Sequence, residues 1–385
     1  MLRLYQWLQR WRRTEIEMSL FLFTFCGIYG LMQYYLFRRV KLAFPGMAWW
    51  AAAPLIVFLA LMIFLPIGVR MLERAGRHQT AMWLSAPGHA WLAIIVWFVS
   101  LGLVCDVWNL SVSALAKLMP AAGSLSIPPR AALAVVGFGV AAMAAWGVHE
   151  ATAFRLEHVA VRLANLPPGF RPIRLVQISD LHLGMFMREN SLKRVVELVR
   201  QAQPDVLVST GDLVDSSFHY DGLSKHLAAI EAPLGKFAVL GNHEFYAGVP
   251  HSLRFHSAAG FRVLRGESQL ILPGLRIAGV DDPAAGSPGI SISFGRNDGE
   301  AMILLKHRPD VDDAVDFDLQ LSGHTHGGQL FPYSIIVKLI NGRLSGLYTL
   351  SGGKLLYISR GTGYWGPPMR FLAPPEVTVI TIEGE

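Results

Sequence analysis

The sequence predicts an α-helical transmembrane region followed by an α/β domain, and three observations predict it. Composition changes abruptly near residue 150, from a stretch rich in Trp, Leu and Ala whose only acids are Glu15, Glu17, Glu73, Asp106 and Glu150 to an ordinary globular mix. Beyond that point short apolar, β-rich runs alternate with helical periods, the pattern of layered α/β domains. Several of those runs end in Asp, Asn or His. The boundaries follow as a four-helix transmembrane domain over 1–150, a linker over 151–171 and a second domain over 172–385. A chain of 385 residues has room for both.

The whole chain is 52% hydrophobic and 16% charged, with mean hydropathy +0.38. Four apolar runs account for this: 19–37, 47–69, about 90–110 and 131–148. Each approaches the ~20 residues a helix needs to cross a bilayer. A cleaved signal is a poor reading of the first, because no small-residue cleavage site precedes Arg38 and three more runs follow. The net charge of +6 comes largely from arginines flanking these runs, with no basic stripe interleaved with aromatics, which argues against nucleic acid. Arg3, Arg10, Arg12, Arg13, Arg70, Arg74, Arg77, Arg155, Arg162, Arg171 and Arg174 fall on one side of the spans; Arg38, Arg39, Lys41, Lys117 and Arg130 fall on the other. Eleven against five places the N-terminus and the second domain inside. Trp49, Trp50, Trp91 and Trp108 lie near span ends, and Asp106 at the edge of the third. Cys26 and Cys105 both sit in apolar runs and offer no disulfide framework.

The second half begins with a connector ending in 166-LPPGF-170. Strands are expected at 173–179, 205–210, 236–241, 262–266, 269–272, 275–280, 301–307, 317–323, 354–360 and 376–382, and helices at 191–203, 219–231 and 250–259. The polar residues at the strand ends are 180-DLH-182, 211-GDLVD-215, 241-GNHE-244, Lys306-His307 and 323-GHTH-326. Ligands of open α/β sheets bind beyond strand ends, where loops converge. Carboxylate, amide oxygen and imidazole together suit Mn, Fe, Zn or Co, and the set is too large for one ion. Two cations sharing a carboxylate fit the number and suit displacement at phosphorus. Taken singly each residue has a blander reading: Asp212 as a helix cap, His307 as a core histidine. His219, His226, His251 and His256 match no block and read as surface residues. The segment 281-DDPAAGSPG-289 reads as a flexible loop.

The five blocks, in this order, resemble the calcineurin-like metallophosphoesterase superfamily over about residues 172–383. The 323-GHTHGGQ-329, 359-SRGTGYW-365 and 370-RFLAPPE-376 segments resemble its bacterial membrane-associated branch. The resemblance implies a four-layer α-β-β-α sandwich. It assigns Asp180, His182 and His326 to one metal, Asn242, His307 and His324 to the other, and Asp212 to both. It makes His243 the catalytic histidine beside the metals, oriented by Asp215, with a metal-bridging hydroxide as nucleophile. Glu244 would support the site and Arg370 meet the substrate phosphate. The implied cofactors are two divalent ions, Mn first, with Fe, Zn, Co or Mg as alternatives.

The expected function is a multi-pass phosphoesterase of the bacterial inner membrane with its catalytic domain in the cytoplasm. Its partners would be membrane lipids and a phosphoester, phosphodiester or pyrophosphate substrate that is itself lipid-linked. The competing reading is a silent scaffold on a transporter- or sensor-like membrane region. Scaffolds tend to lose ligands, and this sequence keeps all of them.

Overall fold

The computed structural model describes residues 2–184, 186–215, 222–286, 294–295, 297, 299–312 and 314–384, with the side chains of 2–19, 21, 74 and 78 outside the description. The chain divides into two compact units, Met1–Ala145 and Trp146–Glu385.

The first unit holds helices α1 (Leu2–Ala43), α2 (Trp49–Arg74), α3 (His78–Ala116) and most of α4 (Pro129–Ala151). Among the described residues three helices are long and apolar enough to cross a membrane: Trp49–Glu73, Gln79–Ala116 and Pro129–Ala151. The expected run at 19–37 lies inside α1, with Ser19 and Phe21 outside the described side chains. The unit turns large apolar side chains outward, among them Leu61, Phe64, Val104, Leu110 and Phe138. Its helices approach each other at small residues instead. A Cβ on Gly88 would press on Leu65, and one on Gly102 on the Tyr35 ring. An apolar exterior with close approach at such glycines is how helices pack in lipid, and the interior also takes Trp97 and Tyr29. Asp106 is no isolated acid: Arg39 (2.5 Å) and the Tyr35 hydroxyl (2.6 Å), both on α1, donate to it.

The second unit is built on two six-stranded sheets. The first takes β1 (Arg155–Leu163), β2 (Ile173–Ile178), β3 (Val206–Ser209), β4 (Lys236–Ala238) and β5 (Arg262–Val263). The second takes β6 (Glu267–Leu272), β7 (Leu275–Gly279), β8 (Ala301–Leu305), β9 (Leu319–Ser322), β10 (Gly346–Thr349) and β11 (Leu355–Ile358). The last strand, β12 (Glu376–Gly384), returns to the first sheet, so the orders are β1-β12-β2-β3-β4-β5 and β10-β11-β9-β8-β7-β6. Within them β2, β3, β4 and β5 run parallel, as do β7, β8, β9 and β11.

The two sheets face each other across one core that includes Leu175, Val206, Val208, Ile277, Ile303, Leu319, Leu321 and Ile380. On the outer face of the first sheet lies α5 (Glu189–Gln201), which buries Leu192, Val195, Val196 and Val199, an i, i+3, i+4, i+7 stripe. With it pack residues of α6 (Ser224–Ala228) and α8 (Val249–Ala258). The other sheet's outer face is covered by Phe294, Val315 and Phe317. Strands covered on both faces read as continuous apolar runs, which is why β3 and β8 were plain in the sequence.

Three expectations are corrected. The segment 151–171 is not simply a linker: β1 lies in it and pairs parallel with β12 from Arg155↔Glu376 to Leu163↔Gly384. Its alternating Val159, Val161 and Leu163 supply the period-two face. The helix expected over 219–231 is only α6, with 216–221 outside the described residues. Two helices went unforeseen, α7 (Asn242–Ala247) and α9 (Tyr333–Asn341), besides strand β10.

Candidate metal centre

The parallel strands bring the polar ends together. Asp180 and His182 follow β2, Asp212 and Asp215 follow β3, and Asn242 opens α7 after β4. From the facing sheet His307 follows β8, and His324 and His326 follow β9. The sheets are tied just beneath this rim by Gln177 of β2, fully buried, whose amide donates to Thr210 Oγ1 (2.9 Å) and to Ser322 O (3.0 Å).

Ring nitrogens and carboxylates then form overlapping groups: Asp180, His182 and His326; Asp212, His307 and His324; and His182, Asp212 and His243. In the first, His326 Nε2 lies 3.1 Å from His182 Nε2 and 3.4 Å from Asp180 Oδ1. In the second, His307 Nε2 lies 3.2 Å from Asp212 Oδ2, from His324 Nδ1 and from Asn242 Oδ1. Asp212 Oδ2 also lies 3.7 Å from His182 Nε2, between the two groups.

These contacts test whether cations fit. His307 Nδ1 donates to Thr210 O (2.8 Å), so in the neutral ring Nε2 is a lone pair. That lone pair faces a carboxylate oxygen and an amide oxygen, an arrangement that repels unless positive charge lies between. Without a metal the charge is a proton. Burial alone would lower the His307 pKa, but the Asp212 carboxylate outweighs it and raises it to about 10. The same field draws a divalent cation, and the oxygen–imidazole set suits a transition ion.

Other groups hold the donors in place. Burial opposes ionisation of Asp212, yet His307 and His243 keep its carboxyl well below the usual range. Its Oδ1 accepts the His243 N–H at 2.9 Å, and both Asp180 oxygens accept the His324 N–H at 3.0 Å. Burial brings His324 down to about 4 and also depresses His326, keeping both in the neutral form that ligates. The close approach explains two motif glycines. A Cβ on Gly241 would overlap Asp212 Oδ1, and one on Gly323 would overlap Ser179 Oγ and Asp180 Oδ2.

The backbone itself is unusual. Asp180, His182, Asp212, His324 and His326 all have left-handed φ, between 48° and 69°. Non-glycine residues rarely adopt it, and each costs on the order of 1–3 kcal/mol.

His243 stands at the edge, its side chain 17% exposed and its ring centroid 4.7 Å from that of His182. Its Nδ1 donates to Asp215 Oδ1, which leaves Nε2 for a substrate. Burial would lower its pKa, but the charge of Asp212 and the bond to Asp215 outweigh this and raise it to about 9. Asp215 also accepts from His182 Nδ1 at 3.3 Å.

Glu244 and Arg370 are buried and bonded to the protein's own loops. Glu244 is fully buried and accepts from the N–H groups of Asp212, Leu213, Val214 and Gly241, bracing the β3 and β4 loops together. Arg370, expected to meet a phosphate, is fully buried too. It donates to Gly363 O (2.5 Å) and Ala373 O (2.7 Å), and its Nη2 lies 3.3 Å from His326 Nδ1. It therefore supports the His326 loop. His256, read as a surface residue, is also fully buried, with Nδ1 against Ser252 O and burial lowering its pKa to about 4. His226 pairs with Glu189 at 3.1 Å, and His219 lies outside the described residues, as do 287–289 of the 281–289 loop.

Residues 173–328 match the model of the calcineurin-like phosphoesterase family. A metallophosphoesterase of Aquifex aeolicus is 43% identical over 243 residues, covering 60% of this chain and 92% of that protein. The chain belongs to the calcineurin-like phosphoesterase family. Other proteins with this domain match as well. One of Campylobacter jejuni is 36% identical over 60% of this chain and 63% of its own length. A zebrafish transmembrane protein with a metallophosphoesterase domain is 33% identical over 63% of this chain and 61% of its own length. The chain thus spans less than two thirds of these last two.

Sequence reasoning missed several neighbours of this phosphoesterase centre. Trp365 and Tyr246 place their rings 5.9 and 5.5 Å from the His243 ring. Tyr246 stands two residues after 241-GNHE-244, where the helical start of α7 turns it back toward His243. Trp365 closes the 359-SRGTGYW-365 segment, which marked the branch but not a place beside His243.

Proposed function

We propose that the protein is a membrane-anchored, dinuclear metal-dependent phosphoesterase acting on a lipid or lipid-linked phosphoester. The observation that carries this is the pair of acceptor clusters sharing Asp212, flanked by a histidine whose proton is held by Asp215. Asp180, His182 and His326 would hold one ion, Asn242, His307 and His324 the other, and Asp212 both. When bound, two such ions supply Lewis acidity, ionising water near neutral pH and offsetting charge on the phosphoryl oxygens. His243, whose protonated form Asp212 and Asp215 favour, gives its Nε2 proton to the departing oxygen as the oxygen of water bonds to phosphorus and the ester P–O bond breaks. Asp215 keeps the ring oriented and balances its charge. Glu244 and Arg370 keep the loops rigid without touching the substrate.

The spans favour a substrate whose apolar part stays in the bilayer, and the cation balance favours a cytoplasmic domain in a bacterial inner membrane. Manganese is the first choice of ion, and a monoester, a diester or a pyrophosphate is the bond. The test is metal removal from the full chain in detergent. Chelation is expected to abolish hydrolysis of bis(p-nitrophenyl) phosphate, and about two equivalents of Mn²⁺ to restore it. Activity that survives with no bound metal would overturn the reading.

A further inference from the structure

Helix α9 is amphipathic the wrong way round for water. Ser334, Val337 and Asn341 are its half-buried positions, and Ser334 sits against Gly328, where a Cβ would overlap it. Ile335, Ile336, Leu339 and Ile340 point outward, 52%, 49%, 78% and 75% exposed, and no α9 residue is buried. Leu347 of β10, a few residues further along the chain, is also exposed. A contiguous apolar surface of this kind marks a docking site.

Two further observations say what covers it. The first is position. The span of α4 ends at Ala151, and 23 residues cover ~34 Å, about the thickness of a bilayer core. The last turn of α4 is bonded to the loop at 370–373: Arg370 N–H to Gly147 O (2.9 Å), and the Leu372 and Ala373 amides to Glu150 (3.3 and 2.7 Å). That loop is in turn bonded to the strap before α9, through Phe371 N–H to Gln329 O (2.8 Å) and Phe331 N–H to Phe371 O (3.1 Å). A short run of hydrogen bonds therefore ties the start of α9 to the point where a membrane span ends. The second is charge. From Leu319 to Pro375 the chain has no acid, and apart from the buried Arg370 and the Arg360 paired with Glu157 and Glu376 its cations are Lys338, Arg343 and Lys354. Lys338 lies on α9 and Arg343 just past it.

We infer that α9 is an in-plane docking helix for an anionic phospholipid surface, sinking Ile335, Ile336, Leu339 and Ile340 into the boundary between headgroups and acyl chains. Because Ser334 rests on Gly328, and Thr325 Oγ1 donates to Leu344 O (2.6 Å), both ends of the helix are fixed to the turn carrying His326. Docking would hold that turn at the lipid surface. This last consequence rests on the proposed lipid substrate; docking itself does not.

The test places a polarity-sensitive fluorophore at Leu339→Cys in the full chain, with Cys26→Ser and Cys105→Ser, in nanodiscs containing anionic lipid. Labelling at Glu197→Cys, an exposed position on α5, is the control. Quenching by doxyl-labelled lipid is expected to be roughly threefold or more stronger at 339 than at 197. In the unaltered chain, amides of 335–340 should exchange more slowly in nanodiscs than in detergent. Equal access of aqueous iodide to both labels would overturn the inference. So would protection at 339 that arises only with two chains per disc, since the cover would then be a second copy. Quenching at 339 in a chain that hydrolyses no phosphoester would leave docking intact and remove only the enzymatic reading. With both intact, Leu339→Asp should slow hydrolysis of a vesicle-embedded phosphoester by about tenfold and leave bis(p-nitrophenyl) phosphate hydrolysis unchanged.

Discussion

The interior of the sandwich and its rim are a few residues apart along the same strands, and they obey opposite rules. Inside, β3 and β8 are fully buried and extended, and apolar but for Ser209 at the end of β3. At the rim, Asp180, Asp212 and His307 are as deeply buried, yet ionisable, and five of the seven candidate metal ligands bend into left-handed backbone. The interior is stabilising by burial, at about 25 cal/mol per Å² of apolar surface. The rim loses stability through desolvated charge and backbone strain, which persist only where function requires a fixed geometry.

The comparison predicts a separation of effects, and the largest is at Asp212. Asp212→Asn keeps the Oδ1 acceptor for the His243 amide but removes the charge shared by both clusters. Turnover is expected to fall by about 10³-fold or more, with a smaller loss of metal-free stability because the charge that favours protonated His307 and His243 is gone. Ile303→Ala, in the middle of β8 and fully buried, should do the reverse. It is expected to cost about 2–5 kcal/mol of stability and to leave the remaining folded molecules active. Turnover and thermal unfolding measured on both variants would break the comparison if each variant changed both quantities alike.

Some of this division was legible in the sequence. Apolar runs stopped by Asp, Asn or His marked both the interior strands and the ligands, because parallel strands covered on two faces leave polar groups only at their ends. What could not be read depends on contacts distant in the chain. Arg370 was expected from the resemblance to meet the substrate phosphate, but the backbone carbonyls of Gly363 and Ala373 are brought around its guanidinium only by folding. β1 was hidden because its partner is the last strand, more than two hundred residues on. Helix α9 has the apolar residues of a core helix, and no local pattern says that its polar side is the one turned inward.

A smaller effect sharpens the rim's side of the contrast. His243 has its folded pKa raised to about 9 from 6.5, with Asp212 and Asp215 overcoming the opposing effect of burial. A raised pKa means the protonated form is the favoured one. Its contribution to stability is therefore full below about pH 6.5 and is lost as pH rises through about 9. Activity should fall on the alkaline side as this proton is lost, since the donor is then empty. Asp215→Asn removes one of the groups that raises the pKa and should move the midpoint down. His243→Asn should lower turnover by roughly 10²-fold and abolish that limb. A pH–rate profile with the same alkaline midpoint in all three proteins would assign the limb to another group.

The smallest effect separates strain that serves the centre from strain that does not. Gln203, just after α5, shares the left-handed φ of the ligands, at 49°, but it is exposed and lies outside the metal clusters. Its side chain accepts one exposed hydrogen bond, from Arg174 at 3.2 Å, which contributes little against solvent. Glycine adopts this conformation without a Cβ penalty and is the usual residue just past a helix end. Gln203→Gly is therefore expected to stabilise the fold by about 0.5–1 kcal/mol with turnover unchanged. At His324, where φ is 69°, the same relief comes with the loss of a ring nitrogen 3.2 Å from His307 Nε2, so His324→Gly should gain similar stability and lose the second cluster's metal. Denaturant midpoints of the two metal-free variants, measured beside their bound metal, decide it. If Gln203→Gly is destabilising, left-handed backbone is not the cost this contrast assigns to the rim.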